Sequence, residues 1–216
     1  MNMKKSKISN NVIRRLPKYL HKADELIAAG VNRISSSELS EQLGFTASQI
    51  RQDFSNFGEF GQQGYGYDVR ELRAQMAQIM GLDRGYNAIL VGVGHIGRAL
   101  MDNFCFSEWG FNLTRAFDVN PELIGKEFGG VKVSSMDELL DYLKKNDVDM
   151  AVLAVTAESA SAVGKVLMKN GVNAIWNFTN VELTGQQEAD DVIVENISFS
   201  DSLMALGYYM TEDRDG

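Results

Sequence analysis

The sequence lacks most of the features that mark secreted and membrane proteins. Its one cysteine, Cys105, cannot form an internal disulfide, so we expect a reducing compartment and a small buried hydrophobic residue at this position. No apolar run reaches the roughly 18 residues of a transmembrane helix. Residues 1–10 are basic and polar and have no apolar stretch of the secretory kind. These absences predict a cytoplasmic protein without a membrane partner.

Metal-binding groups are also scarce. The chain has two histidines, and its ten methionines are spread over several predicted helices, where methionine is typical of core packing. We therefore expect no metal ion.

The net charge of −8 argues against a nucleic-acid partner until the two ends of the chain are compared. Residues 1–84 carry twelve Lys or Arg and nine Asp or Glu, whereas the remaining residues carry nine and twenty. Residues 1–22 contain seven basic side chains and no acidic one. Such asymmetry is typical of a nucleic-acid-binding end, and a solvated basic tail is an equal alternative.

The N-terminal third has the helix pattern of a helix-turn-helix domain. Apolar spacing predicts a long helix over 10–29, in which Pro17 marks either the first turn or a kink. Two short helices follow, over 38–43 and from about 47 to 56, each preceded by a capping-box spacing and separated by Gly44. The capping residues are Ser35 with Glu38 and Thr46 with Gln49. Two short helices joined by a tight glycine turn predict helix-turn-helix architecture.

A glycine- and aromatic-rich stretch over 58–67 follows these helices. It predicts a β-hairpin with Gln62 and Gln63 at its tip, which is the wing of a winged helix. We therefore predict a DNA-binding domain over 1–84, with the helix-turn-helix at about 19–57.

Beyond residues 81–85 the pattern changes to alternating strands and helices. The predicted strands are 87–91, 113–117, 150–155, 174–177 and 192–194. The predicted helices are 96–109, 136–146, 158–170 and 200–210. This alternation predicts a doubly wound, mostly parallel Rossmann sheet over 85–198, and the whole chain is then an α/β protein of two domains. Residues 199–216 form a separate C-terminal helical segment.

The strongest motif is a glycine loop between a predicted strand and a predicted helix. Gly92 permits the tight turn, Gly94 lets the backbone approach a pyrophosphate, and Gly97 lets the helix pack closely on the strand. Asp118 ends the second strand, where a carboxylate accepts hydrogen bonds from a ribose 2′-hydroxyl and repels a 2′-phosphate. The motif therefore predicts NAD or NADH as cofactor in preference to the 2′-phosphorylated forms.

Catalytic groups are missing around this loop. The second domain offers one histidine, His95, which lies inside the loop itself, and no acid–base set stands out after residue 97. This absence favours sensing over catalysis, so we name no catalytic residue. The alternatives are a small NAD-dependent oxidoreductase whose N-terminal helices only dimerise, and a winged-helix protein whose second domain binds another nucleotide or none.

The helix from about 47 to 56 is the candidate recognition helix. Ser48, Gln49, Arg51 and Gln52 lie near its start, and arginine and glutamine read guanine and adenine in the major groove. A plain solvated face is the alternative for such a short polar helix. The basic first helix favours DNA binding.

Several stretches of the sequence resemble the Rex family of redox-sensing repressors. The similarity is carried by residues 14–19, 34–36, 50–61, 64–67, the glycine loop with its flanks at 91–100, the stretch 116–121 and the run 175–178. The resemblance implies a homodimer that binds inverted-repeat operators in double-stranded DNA and is released by NADH, whereas NAD leaves DNA binding intact. It also implies that the C-terminal helix is exchanged between subunits. That helix is apolar almost all round, which independently favours burial against a partner.

The resemblance completes the set of expected site residues. Phe199 is the candidate for packing near a nicotinamide. The residues expected at the cofactor are Gly92, Val93, Gly94, His95, Ile96, Gly97, Asp118, Val119, Val155, Thr156, Asn177, Phe178 and Phe199. The residues expected at DNA are Lys4, Lys5, Lys7, Arg14, Arg15, Ser35, Ser36, Thr46, Ser48, Gln49, Arg51, Gln52, Gln62 and Gln63.

The wing tip carries Gln62 and Gln63 where a basic residue is common in the family, and three further positions depart from the family pattern. Many members have Tyr where this chain has Asn103, Arg near His21 and an acid near Ser198. If those groups form an interdomain relay elsewhere, this protein couples its domains differently or less strongly.

Overall fold

The computed structural model describes residues 8–58, 65–183 and 192–215. The chain divides into two compact units, which we call unit 1 (Met1–Asp83) and unit 2 (Arg84–Gly216). Within the described ranges, no helix combines the length and the hydropathy that a membrane crossing requires.

The described part of unit 1 contains four helices and two very short strands. Its elements are α1 (Asn10–Ala28), β1 (Arg33–Ile34), α2 (Ser36–Leu43), α3 (Ala47–Ser55), β2 (Tyr67–Asp68) and α4 (Val69–Ile79). The predicted caps are confirmed: Ser35 and Glu38 form a reciprocal capping box, and the Thr46 hydroxyl accepts a hydrogen bond from the Gln49 backbone N–H over 3.1 Å. Gly44 ends α2 in the left-handed conformation. Pro17 lies inside α1 rather than in its first turn.

The strand pair of unit 1 had no counterpart in the sequence prediction. Ile34 pairs with Tyr67 in an antiparallel ladder, so the strand at 67 meets the segment before α2. Gly66 makes this approach possible, because an added Cβ would lie 2.7 Å from the Ile34 carbonyl oxygen. The predicted wing tip at Gln62 and Gln63 lies outside the described residues.

Unit 2 is built on a seven-stranded sheet in the order β5-β6-β4-β3-β7-β8-β9, parallel except for the β5–β6 pair. Its strands are β3 (Tyr86–Val91), β4 (Phe111–Asp118), β5 (Glu127–Phe128), β6 (Val131–Ser135), β7 (Met150–Leu153), β8 (Ala174–Asn177) and β9 (Ile193–Asn196). Its helices are α5 (His95–Asn103), α6 (Leu139–Lys145), α7 (Ala157–Lys169) and α8 (Phe199–Asp215). The predicted Rossmann architecture is confirmed.

The central strand β3 explains why the sheet is covered on both faces. Its side chains alternate between two cores: Ile89 and Val91 pack with α6 and α7, whereas Ala88 and Leu90 pack on the side of α5. All four are fully buried. A strand buried on both faces reads as a continuous apolar run, which is how it appears in the sequence.

Several predicted bounds in unit 2 are wrong. The helix predicted over 96–109 ends at Asn103, because Phe104 takes an extended conformation and packs its ring on Trp176, with ring centroids 5.5 Å apart. A separate 3-10 turn follows at Phe106–Trp109. Cys105, between the two, is exposed rather than buried. The segment predicted as one helix over 136–146 is a 3-10 turn followed by α6.

The strands β5 and β6 had no counterpart in the sequence prediction, yet they hold α5 in place. Their turn packs on the end of α5 so closely that a Cβ at Gly129 would lie 1.9 Å from the Met101 carbonyl oxygen. Beside it, the Arg98 guanidinium lies over the Phe128 ring, 4.2 Å from the ring centroid. These contacts hold α5 at Arg98 and Met101.

Candidate functional site

The glycine loop joins the carboxyl end of β3 to the amino end of α5. The Gly92 backbone has φ of +98°, and a Cβ there would lie 2.5 Å from the Ala154 carbonyl oxygen. A Cβ at Gly97 would lie 2.0 Å from the Gly92 carbonyl oxygen. At Gly94, by contrast, nothing described lies within 4 Å of an added Cβ. The first and third glycines are thus required by the protein itself, and the second faces open space.

The amino end of α5 is suited to an anion. Gly94 is its N-cap residue, and among the described residues no side chain caps the first turn. The backbone N–H groups of that turn therefore point out of the end of the helix and have no hydrogen-bond acceptor within α5. The helix dipole adds to their attraction for negative charge. His95 and Ile96 lie in this first turn and are exposed.

Asp118 lies beside the loop at the end of β4. Its Oδ2 accepts a hydrogen bond from the Val93 backbone N–H over 2.6 Å, and its Oδ1 accepts one from Asn120 over 2.8 Å. Each carboxylate oxygen can accept a second hydrogen bond, so the group can still meet a ribose hydroxyl. The negative charge of the carboxylate would repel a 2′-phosphate brought close to it.

The carboxyl ends of neighbouring parallel strands bring further predicted residues to the same edge. The Ala154 backbone N–H donates to Val91 over 2.8 Å, which sets the chain after β7 against the glycine loop. Val155 and Thr156 follow directly, and Thr156 is the N-cap residue of α7. Val119 follows Asp118 and is exposed. The loop, Asp118, Val119, Val155 and Thr156 therefore lie at the same edge of the sheet, where open α/β sheets bind ligands in a crevice.

Asn177 and Phe178, by contrast, direct their side chains into unit 2. The Asn177 amide donates to the Val181 carbonyl oxygen and to Asn196 Oδ1, both over 2.7 Å, and its Oδ1 accepts from Thr179. The Phe178 ring packs on Trp176, with centroids 4.7 Å apart. These two side chains pack at the end of β8. A ligand at this position would contact the backbone and the neighbouring groups.

The predicted nicotinamide contact, Phe199, begins α8 and is exposed. Six further large apolar side chains of this helix are more than half exposed in the isolated chain. They are Leu203, Met204, Leu206, Tyr208, Tyr209 and Met210.

The exposed side of α3 carries the predicted DNA-reading residues. Ser48, Gln49, Arg51 and Gln52 are all exposed, while Ile50 and Phe54 are buried on the opposite side. The arrangement is that of a helix packed by its apolar stripe and free to present its polar face.

Arg51 is held in place by the preceding helix. Its Nη1 donates to the Ser36 hydroxyl over 2.8 Å, so two residues predicted to contact DNA are joined to one another. The hydroxyls of Ser35 and Thr46 are engaged as helix caps. The backbone at the starts of α2 and α3 therefore lies close to any ligand that contacts Arg51.

Arg15 was expected to contact DNA, but its guanidinium points inward. It forms a bidentate ion pair with Asp53 of α3, at 2.6 and 2.7 Å, and the Asp53 carboxylate also accepts a hydrogen bond from the Tyr19 hydroxyl over 2.6 Å. The hydrogen bond to Asp53 raises the pKa of Arg15 above its ordinary value. Burial, followed by the Asp53 hydrogen bond, raises the pKa of Tyr19 well above its ordinary value.

Sequence reasoning missed Asp53 and Tyr19. A signal was present, because Asp53 lies one residue before Phe54 and three after Ile50, on the buried stripe of α3. A carboxylate on an apolar stripe requires a buried partner. Arg14, the neighbour of Arg15, is exposed, and Lys4, Lys5 and Lys7 lie outside the described residues.

Two of the departures from the family pattern make local hydrogen bonds in this structure. The Asn103 amide donates to the Ala99 carbonyl oxygen over 3.1 Å, and the Ser198 hydroxyl accepts from the Asp201 backbone N–H over 3.2 Å. His21 is exposed on α1. Within the described ranges no cluster of His, Cys, Asp and Glu has the composition of a metal site.

Comparison with protein families agrees with this division of the chain. A family model described as a CoA binding domain matches residues 83–181, and a second model, for the N-terminus of a DNA-binding protein, matches residues 7–55. CoA and NAD share an adenosine and a pyrophosphate, which are the parts that a glycine loop binds.

Individual relatives match along almost the whole chain. The redox-sensing transcriptional repressor Rex of Caldicellulosiruptor saccharolyticus is 47% identical over 209 residues, covering 97% of this chain and 94% of the relative. Among solved structures, RSP in complex with β-NAD+ and operator DNA is 44% identical, with a TM-score of 0.90, and covers 97% of this chain and 95% of its own. RSP in complex with β-NADH is 41% identical, with a TM-score of 0.87, and each chain covers 97% of the other.

Proposed function

The chain belongs to the Rex family of redox-sensing transcriptional repressors, and from this premise we propose how its two units work. Unit 1 binds operator DNA, unit 2 binds NAD+ or NADH, and NADH releases the protein from the operator. One observation carries the proposal: the chain combines a polar recognition helix with a glycine loop and acidic ribose site. The relatives that match over nearly the full length are named as repressors, so the oxidoreductase alternative is set aside.

The cofactor site of the proposal is the crevice at the glycine loop. The pyrophosphate lies on the amino end of α5, and the adenosine ribose lies on Asp118. Val119, Val155 and Thr156 flank it. Asp118 favours NADH over NADPH because its carboxylate repels a 2′-phosphate, and no metal ion takes part.

The DNA site of the proposal is the exposed side of α3. Arg51 and the glutamines Gln49 and Gln52 read base edges in the major groove, and Ser48 with the helix starts contacts phosphates. The hydrogen bond that Arg51 donates to the Ser36 hydroxyl fixes the direction of Arg51 before DNA binds. Lys4, Lys5 and Lys7 add phosphate contacts, which makes the affinity salt-dependent.

We propose that the functional form is a cytoplasmic homodimer. The exposed apolar surface of α8 supports this, because isolated soluble proteins rarely leave so many large apolar side chains together in water. A twofold dimer presents two α3 helices to an inverted repeat. NADH binding in unit 2 changes the spacing of the two α3 helices, and the exchange of α8 between subunits links the two events.

The test is a titration of the full-length protein with the operator duplex of RSP, alone and with NADH, NAD+ or CoA added. Release by NADH, but not by NAD+ or CoA, is expected. An Arg51→Ala variant is expected to lose operator binding and to keep the wild-type affinity for NADH. Arg73→Ala is the control, because Arg73 pairs with Asp24 on the surface.

Three results would contradict the proposal. Operator binding that is indifferent to NADH would leave a repressor without a redox sensor. Retained operator affinity in Arg51→Ala would remove that residue from the DNA site. NADH binding with no operator binding, together with turnover of a substrate, would restore the oxidoreductase.

A further inference from the structure

The buried carboxylate of Asp53 is the most unusual group in unit 1. It is 1% exposed, and it sits among the apolar residues by which α3 packs on the unit. Its two oxygens accept three side-chain hydrogen bonds, two from Arg15 and one from Tyr19, all between 2.6 and 2.7 Å. Both partners belong to α1, more than thirty residues earlier in the chain.

A second contact joins α1 to the turn between α2 and α3. The Phe45 ring in that turn packs edge-on against the Tyr19 ring, with centroids 5.8 Å apart. The Lys18 ammonium lies 5.3 Å and the Arg15 guanidinium 5.8 Å from the centroid of the same Phe45 ring. The same face of α1 therefore holds both the turn and the recognition helix.

Stability alone does not account for this arrangement. Taking a carboxylate and a guanidinium out of water costs free energy that their attraction repays only in good geometry, and apolar residues of similar volume are often as stabilising. Ile50 and Phe54 already pack α3 on unit 1 through apolar contacts. An apolar residue at 53 would extend that packing without any desolvation of charge.

The ion pair fixes the orientation of α3, which apolar packing alone does not. Apolar contacts permit small rotations and shifts, because burial of apolar area has no preferred orientation. A bidentate pair between a planar guanidinium and a carboxylate has a fixed geometry, and α3 cannot turn about its axis without breaking it. Recognition geometry has to be held to within about 0.5 Å and 10–20°. Gln52 precedes Asp53 directly, so any rotation at Asp53 is transmitted to a base-reading side chain.

We propose that Arg15, Tyr19 and Asp53 form an orienting clasp that sets the angle of α3 for sequence discrimination. Asp53 is then a positioning residue that acts through Gln49, Arg51 and Gln52 and does not touch DNA. The inference rests on the proposed function, since it assigns to α3 the role of recognition helix. It predicts that loss of the clasp lowers discrimination between operator and non-operator DNA more than it lowers affinity for DNA in general.

The experiment compares variants that separate orientation from stability. Asp53→Asn removes the charge at nearly constant shape, and Arg15→Lys keeps the charge but removes the planar fork. The double variant Arg15→Met with Asp53→Leu replaces the pair by apolar residues of similar size. Its matched control is Asp24→Asn with Arg73→Met, which removes an exposed ion pair between α1 and α4.

Each full-length variant is titrated with the RSP operator duplex and with a scrambled duplex of equal length and composition. Urea unfolding and NADH affinity are measured on the same samples. For both single variants we expect the ratio of the two DNA affinities to fall at least tenfold, or about 1.4 kcal/mol. The apolar double variant is expected to recover the stability of the wild type and to keep the lowered ratio, and the control is expected to match the wild type in both.

A wild-type ratio in the stable double variant would overturn the clasp. If the wild type itself does not bind the operator, the proposed function is wrong. The clasp is then tested by a measurement that does not use DNA. Spin labels at Ala28→Cys on α1 and Ser48→Cys on α3, with Cys105→Ser, then report the distribution of distances between the helices. The double variant is expected to broaden that distribution, and an unchanged width would overturn the clasp.

Discussion

Gly94 and Gly97 lie three residues apart in one loop, yet the structure predicts opposite effects of the same substitution. A Cβ at Gly97 would lie 2.0 Å from the Gly92 carbonyl oxygen and 3.1 Å from Leu90 Cδ2. Ordinary contacts between carbon and oxygen are about 3.3–3.6 Å, so the loop and α5 must separate by roughly 1 Å or more. Such overpacking costs about 1–3 kcal/mol of unfolding free energy.

The same methyl group at Gly94 meets nothing described within 4 Å, and its backbone has φ of −72°. Alanine fits this conformation, so Gly94→Ala is expected to leave the unfolding free energy unchanged or to raise it by up to about 1 kcal/mol. In the bound state, however, the methyl group would occupy the space that the pyrophosphate takes. We expect the NADH dissociation constant of Gly94→Ala to rise at least tenfold, or about 1.4 kcal/mol.

The chain provides its own reporter for this comparison. Both tryptophans, Trp109 and Trp176, lie in unit 2, so tryptophan fluorescence during urea unfolding follows the unit that contains the loop. NADH affinity is measured by calorimetry on the same preparations. Gly97→Ala is expected to lose stability, and Gly94→Ala is expected to lose affinity at full stability.

Two results would refute this reasoning. Wild-type NADH affinity in Gly94→Ala would mean that the pyrophosphate does not approach the second glycine. Wild-type stability in Gly97→Ala would mean that the close approach of Gly97 to Gly92 does not constrain the loop.

Three further predictions follow from other parts of the molecule. Asp118→Asn is expected to weaken NADH binding about tenfold and to improve NADPH binding relative to NADH, and calorimetry showing both affinities unchanged would remove Asp118 from the ribose site. Burial and Asp53 raise the pKa of Tyr19 above its ordinary 10.0, so Tyr19 ionises at a lower pH in the unfolded chain than in the folded one. The free energy of unfolding therefore falls above about pH 10, by up to about 1.4 kcal/mol per pH unit. The stability lost in Tyr19→Phe, measured in urea, should therefore be constant below that pH and shrink above it, and a constant difference up to pH 11 would refute the assignment. Leu206→Glu on α8 is expected to shift the protein from dimer to monomer in sedimentation, whereas a dimer matching that of the surface control Lys165→Glu would exclude this face from the interface.

Local signals explain what the sequence could predict. The capping box of Ser35 with Glu38 and the Gly44 stop involve residues close in the chain, and the Rossmann sheet follows from an alternation of strands and helices repeated over a whole domain. These features depend on hydrogen bonds between nearby residues and on local backbone conformation, so the residue types alone are enough to predict them.

Contacts between distant residues explain what the sequence could not predict. The strand at Ile34 exists only because Tyr67 pairs with it, and two residues are too few to show a period. The early end of α5 at Asn103 depends on Phe104 finding Trp176, and the inward turn of Arg15 depends on Asp53. Basic residues on a first helix look alike in sequence whether they face a phosphate or a buried carboxylate.

In the proposed homodimer, the apolar surface of α8 makes the stability of each subunit depend on the concentration of the protein. A helix whose apolar face is covered by a second chain stabilises the fold only in the fraction of chains that are paired. The melting temperature should therefore rise with protein concentration. In a growing cell that has stopped making the protein, dilution alone would separate subunits and expose Leu203, Tyr209 and their neighbours to proteases. The repressor would then be removed faster than growth dilutes it, and its regulated genes would be released even while NADH stays low.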